Sequence, residues 1–215
     1  GSEMCIRDST TAACIFFEWG YEKLCGKPST ICDLSAAVTG VLLAMNLPVS
    51  IPLWQAVFGA LVAMVAVKGL FGGIGKNFAN PAITARIVMF LAFSKSMTAW
   101  VFPDAVSSAT PLAMMANGES VDYLTLLLGN HGGCLGETSA LALLIGFAYL
   151  LIRGVISWHT PVCFVGTVFV MSLILGQDAV GQILSGGLML GAIFMATDYS
   201  CLLYTSPSPR DRQKS

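Results

Sequence analysis

Asp104-Ala105-Val106-Ser107-Ser108-Ala109-Thr110 sets one threonine hydroxyl behind a run of small residues, downstream of a carboxylate. A hydroxyl that is to accept a bulky group needs neighbours that do not crowd it, and Ser107, Ser108 and Ala109 meet that need. The carboxylate of Asp104 could hold the metal or the proton that such a transfer uses. Turns rich in serine and threonine are also common loop chemistry, so the weight of this stretch comes from its surroundings. A second group of candidates is Asn77, Asn80 and Arg86. Arg86 sits inside a hydrophobic run, five residues beyond a helix-initiating Asn80-Pro81. An ionisable residue in such a run marks a functional site by default. A guanidinium can hold a phosphate or a carbonyl that gains charge on reduction, or serve a structural ion pair. Asn77 and Asn80 can donate to the edge of a ligand, and capping a helix is the cheaper use of an asparagine there.

The elements that must position these residues are hydrophobic. The chain is 55% hydrophobic and 11% charged, with mean hydropathy +0.76, whereas soluble domains carry about 25% charged residues. This composition reads as an all-α polytopic membrane protein, a bundle of transmembrane helices with broken or half helices. A net charge of −1 without a basic stripe argues against nucleic acid as a partner. The cysteines are scattered with no C-x-x-C pair, so no zinc or cluster site is signalled.

A spanning helix needs about 20 apolar residues. Residues 51–71 read as a clear span, while 138–152, 161–175 and 181–196 are shorter and need their flanks to cross. Segments 34–47 and 81–102 are expected to cross as well, the second with Arg86 and Lys95 inside it. Residues 10–19 look like the tail of a helix. Loops 20–29 and 72–80 and the residues at Arg153 carry lysine or arginine, and loops 103–137 and 176–180 carry none. By the positive-inside rule the first set is cytoplasmic, which puts Thr110 near the outer face. Gly40, and Gly186-Gly187 with Gly191, read as small-residue faces for close helix approach. Glycine-rich breaks at 71–75 and 129–136 suggest a repeat-built fold of broken helices.

Both ends read as something other than protein. Gly1-Ser2-Glu3-Met4-Cys5-Ile6-Arg7-Asp8-Ser9 back-translates to one strand of a transposase-type sequencing adapter. Cys201-Leu202-Leu203-Tyr204-Thr205-Ser206-Pro207-Ser208-Pro209-Arg210-Asp211 back-translates to its reverse complement. The expectation is therefore a partial membrane domain at 10–199, flanked by adapter-derived residues at 1–9 and 200–215.

Five stretches, in order, resemble one family. They are Asp33 to Pro48; Gly72-Gly73-Ile74-Gly75-Lys76-Asn77-Phe78-Ala79-Asn80-Pro81-Ala82 with Arg86; the Asp104–Thr110 loop; Gly132-Gly133-Cys134-Leu135-Gly136-Glu137-Thr138-Ser139; and Gly186 to Tyr199. Together they resemble the D subunits of Rnf electron-transport complexes, and next to them the homologous B subunits of sodium-pumping NADH:quinone reductases. The resemblance implies FMN attached through its phosphate to Thr110, with Asp104, Ser107, Ser108 and Ala109 around it. Ser108 stands where many members have glycine and is small enough to keep the loop accessible. Given that resemblance, flavin is the ligand that Arg86, Asn77 and Asn80 could contact, with the ion pair and the helix cap as their alternatives, and the resemblance allows a second, non-covalent flavin. It further implies an ion-translocating oxidoreductase subunit, not active alone, in the bacterial cytoplasmic (inner) membrane. Such a complex couples transfer between ferredoxin and NAD to Na⁺ or H⁺ movement. Its partners are the other subunits of the complex, a flavin transferase during maturation, and membrane lipid.

Glu137, with Thr138 and Ser139, is placed to start a helix, where the dipole favours a carboxylate, or to serve an ion path. Asp33 and Asp198 suit an ion path, subunit contacts or a solvated boundary. A flavin-free channel of similar build and a purely structural subunit are the rival classes, and covalent flavin separates both from the flavoprotein reading.

Overall fold

The computed structural model describes residues 2–27, 29–71, 73, 77, 79–99, 111–117, 122–128, 133–134, 136, 139–185 and 187–198. Every regular element among them is helical. The first helix, α1 (Ser2–Leu24), takes in the flank at 2–9 together with the stretch that follows. It lies along α2 (Ser35–Met45), and Gly40 makes the approach possible: a Cβ there would stand 2.7 Å from the Thr11 Cα. Asp33 starts α2, its Oδ1 accepting from the Ser35 backbone N–H at 2.8 Å and from the Ser35 hydroxyl at 2.5 Å.

After Pro52, α3 (Leu53–Leu61) runs without interruption into wider π turns at Val62–Gly69. Asn80 then caps α4 (Pro81–Ala92), accepting from Ala82 N at 2.9 Å and Ile83 N at 3.3 Å. Proline at the first helical position costs nothing there, since its missing N–H would have had no intrahelical partner. The helix stops at Phe93 (φ −129°) and restarts as the single turn α5 (Ser94–Met97). Two short helices follow, α6 (Pro111–Ala116) and α7 (Tyr123–Leu128). Ser139 caps α8 (Ala140–Ile152), and α9 (His159–Ile174) ends at Gly176, whose φ of +67° is the left-handed stop that glycine adopts freely. Asp178 caps α10 (Ala179–Leu184). Gly187 (φ +67°) breaks the chain before α11 (Leu188–Leu190), which continues as π turns at Gly191–Met195.

The interior is built of small residues. Ala36, Ala60, Ala63, Ala82 and Ala85 surround Leu43, Met64 and Met195. Large apolar side chains point outward instead, among them Ile145, Tyr149 and Ile152 on α8 and Val170, Leu173 and Ile174 on α9. Small residues inside and large ones outside is the arrangement helices adopt when apolar solvent surrounds them. In water such a continuous apolar surface would be a strong drive to associate.

The expected spans are corrected in three places. No helix among the described residues is long and apolar enough to cross a membrane unaided. At about 1.5 Å per residue, the 13 residues of α8 and 16 of α9 reach roughly 20 and 24 Å, short of a hydrocarbon core about 30 Å thick. The segment 81–102 does not continue as one helix because it ends at Phe93, and 181–196 is divided at Gly187. The span expected at 51–71 is one helical run carrying a buried lysine, Lys68. Of the small-residue faces, Gly40 is a close approach, but a Cβ on Gly191 would meet nothing within 4 Å.

Candidate functional site

Asn46, the residue that ends α2, organises a buried polar cluster. Its amide nitrogen donates to the Leu42 carbonyl at 2.7 Å and to Met195 Sδ at 3.5 Å, which leaves Oδ1 free to accept. Arg86 of α4 donates to that oxygen through Nη1 at 2.7 Å, and through Nη2 to Cys134 Sγ at 3.7 Å. The Cys134 thiol donates in turn to the Asn46 carbonyl at 3.2 Å. Gly136 closes the arrangement, its N–H donating to the Met45 carbonyl at 2.8 Å. Only glycine fits there, because a Cβ would lie 2.8 Å from Met45 Cβ and 2.9 Å from Leu190 Cδ2.

Nearly two turns back, at the cap of α4, Asn80 uses both ends of its amide. While Oδ1 caps the helix, Nδ2 donates to the Met195 carbonyl at 3.2 Å and to Asp198 Oδ2 at 3.1 Å. Four segments distant in sequence therefore meet: the end of α2, the start of α4, the stretch 133–136 and the end of the helical run at Leu188–Met195. Four of the five motif stretches contribute to this cluster. Asn77 lies beside it in sequence, 9% exposed, and neither its Oδ1 nor its Nδ2 has a hydrogen-bond partner among the described residues. An amide buried without partners costs about 1–3 kcal/mol per unsatisfied group.

A second charged centre lies between α1 and the π turns. Lys68 Nζ pairs with Glu18 Oε1, their side chains 6% and 5% exposed. It also donates to Ser35 Oγ at 2.5 Å, which is bonded to the more exposed Asp33. The other carboxylate oxygen, Glu18 Oε2, has no hydrogen-bond partner among the described residues. Widening a helix to π geometry displaces side chains from the regular register and recurs at functional positions. Here it brings the lysine over the carboxylate.

The family resemblance of the sequence is confirmed by comparison with known proteins. The chain matches the model of the family described as NQR2, RnfD, RnfE over residues 4–208.

The chain belongs to that family.

It is similar to the D subunit of a Na(+)-translocating ferredoxin:NAD(+) oxidoreductase complex from Acetobacterium woodii, 47% identical over 187 residues. That alignment covers 83% of this chain and 59% of the relative. The D subunit of a proton-translocating ferredoxin:NAD(+) oxidoreductase complex from Clostridium ljungdahlii is 35% identical, over 86% of this chain and 63% of its own length. The B subunit of a Na(+)-translocating NADH-quinone reductase from Azotobacter vinelandii is 37% identical, over 75% of this chain and 45% of its own length. The chain thus spans roughly half to two thirds of the relatives it matches.

Within this family member, Arg86 and Asn80 come together through the polar cluster, and Asn77 is the residue left with unmet hydrogen-bonding capacity. Asp104, Ser107, Ser108, Ala109 and Thr110 lie outside the described residues, as does Glu137. Ser139 starts α8 by accepting from Ala142 N at 3.3 Å. Asp33 starts α2, and Asp198 receives the Asn80 amide. Sequence reading had not singled out Lys68 or Glu18. A lysine within the otherwise apolar 51–71 run was the available signal, and it called for an acidic partner on another element.

Proposed function

We propose that this chain is part of a membrane subunit of a redox-driven ion pump, carrying electrons through FMN joined by its phosphate to Thr110. The complex would be of the ferredoxin:NAD oxidoreductase type, coupled to Na⁺ or H⁺ movement. The observation that carries the reading is the convergence of four motif segments on the Asn46–Arg86–Cys134 and Asn80–Asp198 cluster. Elements of a mere anchor would not need to gather buried amides, a guanidinium and a carboxylate at the junction of broken helices. A flavin supplies exchange of either one or two electrons.

The residues fit a second, non-covalent flavin at the start of α4. Asn77 presents a donor and an acceptor that the protein leaves unused, which suits a ring edge that alternates carbonyl and N–H groups. Asn80 is already committed to the helix cap and to Asp198, so its role is to hold the segment that carries Asn77. Arg86 is fixed by Asn46 and Cys134 and places a permanent positive charge beside the junction, where it favours reduced, more negative states of a neighbouring group.

The outward-facing apolar side chains of α8 and α9 support burial in the bilayer. Short, broken helices belong to spanning proteins when the irregular backbone is covered by other protein. In this reading Thr110 is near the outer face of the bacterial cytoplasmic membrane, the other pump subunits and lipid cover the apolar surface, and a flavin transferase loads Thr110. A B-type subunit of an NADH:quinone reductase is the second reading, supported by similarity to the Azotobacter vinelandii protein.

The test is complementation with the full-length protein. A host lacking its own D subunit should regain ferredoxin-dependent NAD reduction and an ion gradient in inverted vesicles. Restored NADH oxidation by quinone instead would select the second reading, and no restored redox activity would reject both.

A further inference from the structure

Four polar side chains form an unbroken line from the surface to a buried carboxylate. Asp33 is exposed, and its Oδ1 accepts from the Ser35 hydroxyl at 2.5 Å. Ser35 Oγ in turn accepts from Lys68 Nζ at 2.5 Å, and Lys68 donates to Glu18 Oε1. Glu18 and Lys68 are both buried, and Glu18 Oε2 has no hydrogen-bond partner among the described residues. A buried ion pair holds best when further donors meet its remaining lone pairs, so the pair alone does not account for this open oxygen. Two departures from regular backbone flank the line. Leu34, between Asp33 and Ser35, is left-handed at φ +59°, a conformation residues with a side chain rarely take. Lys68 lies in the π turns. Both kinds of departure gather where function constrains the chain. The neighbouring charges on α1 and beyond it are committed elsewhere. Glu22 accepts from the Thr30 N–H at 3.1 Å and from the Thr30 hydroxyl. Lys27 donates to the Gly69 carbonyl at 3.5 Å and lies over the Tyr21 ring. Cys14 is buried one turn before Glu18, and α2 and α3, which also pack on α1, carry no titratable side chain.

We propose that Asp33, Ser35 and Lys68 form a proton-exchange chain that connects the buried Glu18 with water. Lys68 passes one proton to Glu18 Oε1, an N–H bond giving way to an O–H bond. The Ser35 hydroxyl turns from Asp33 and gives its proton to Lys68 Nζ, while Asp33, protonated from solvent, replaces that proton on Ser35 Oγ. Asp33, Ser35 and Lys68 end as they began, and one solvent proton has reached the buried carboxyl. The reverse sequence returns it. With Oε2 held by no other group, the Glu18 carboxyl turns without breaking a second hydrogen bond. Neither flavin nor electron transfer is needed for this exchange.

The experiment uses full-length protein in lipid nanodiscs, isotopically labelled at the lysine side-chain nitrogens and free of any electron donor. The Lys68 ammonium resonance is identified by its loss in Lys68→Arg. Its hydrogen exchange with water is measured by NMR beside backbone amide exchange over residues 62–69. Asp33→Asn keeps an oxygen to accept from Ser35 but cannot carry the proton, and Ser35→Ala breaks the line outright. Each should slow exchange of the Lys68 ammonium about a hundredfold, with the amides unchanged. Ser35→Thr keeps a hydroxyl and should stay near wild type. Ammonium exchange unaltered in Asp33→Asn would overturn the chain, whatever Ser35→Ala does. Ammonium exchange that rises and falls with the amides would overturn it too, because opening of the fold would then explain the rates. Absence of flavin or of redox activity would leave these rates untouched.

Discussion

Breaking the Lys68–Glu18 pair from its two sides should have unequal consequences. The pair is almost fully removed from solvent, yet its partners are not equally supported. Lys68 has a second acceptor in Ser35 Oγ at 2.5 Å, whereas Glu18 has Lys68 on one oxygen and nothing on the other. Lys68→Met keeps the length of the side chain and leaves a buried carboxylate with no donor. Glu18→Leu leaves an ammonium that still donates to Ser35. Removing one member of a buried pair costs about 3–5 kcal/mol, so Lys68→Met should fall at the upper end and Glu18→Leu at the lower. The double variant replaces both charges with apolar groups and should lose far less than the sum of the two, because buried pairs are often close to neutral against well-packed apolar replacements. A coupling energy at least as large as the smaller single cost, about 3 kcal/mol or more, is therefore expected from the double-mutant cycle. Unfolding of the full-length protein in mixed micelles by added SDS, followed by intrinsic tryptophan fluorescence, gives the four free energies. Costs that add within about 0.5 kcal/mol would refute the pairing.

Asn77→Leu should act in opposite directions on stability and on cofactor. In flavin-free protein it removes unpartnered polar atoms from a buried position and should stabilise by about 1–3 kcal/mol, while the non-covalent flavin released on denaturation falls; equal flavin content in variant and wild type would reject its role. Gly40→Ala should destabilise the α1–α2 packing by about 1–3 kcal/mol, since the new methyl meets backbone at Thr11, and a thermal shift assay that finds no loss would place α1 elsewhere. Asn80→Ala removes a helix cap, for about 1 kcal/mol, together with the amide contacts to Met195 and Asp198. Its destabilisation in the same assay should exceed that of Ser139→Ala, which removes a cap alone.

Local signals carried much of this fold in the sequence. Asn80-Pro81 and Thr138-Ser139 announced helix starts because capping depends on a few adjacent atoms, and both helices begin where those residues stand. Gly40 announced a close approach for a similarly local reason. Helix continuity was harder to read. Residues 81–102 and 181–196 are apolar enough to suggest unbroken runs, yet Phe93 (φ −129°) and Gly187 (φ +67°) leave helical geometry, which hydropathy does not record. The site divides in the same way. Arg86 was visible as a charge in an apolar run, whereas its partners Asn46 and Cys134 lie 40 and 48 residues away and belong to other motifs. Lys68 was equally visible in principle, but its meaning depends on Glu18, which is 50 residues distant.

Covalent flavin on Thr110 is the claim on which the electron-transfer reading stands, and in-gel fluorescence tests it most directly. The full-length protein is co-expressed with a flavin transferase, separated by denaturing electrophoresis, and viewed under ultraviolet light beside Thr110→Ala. A fluorescent wild-type band and a dark variant band are expected. A dark wild-type band, or a variant that stays fluorescent, would contradict the assignment.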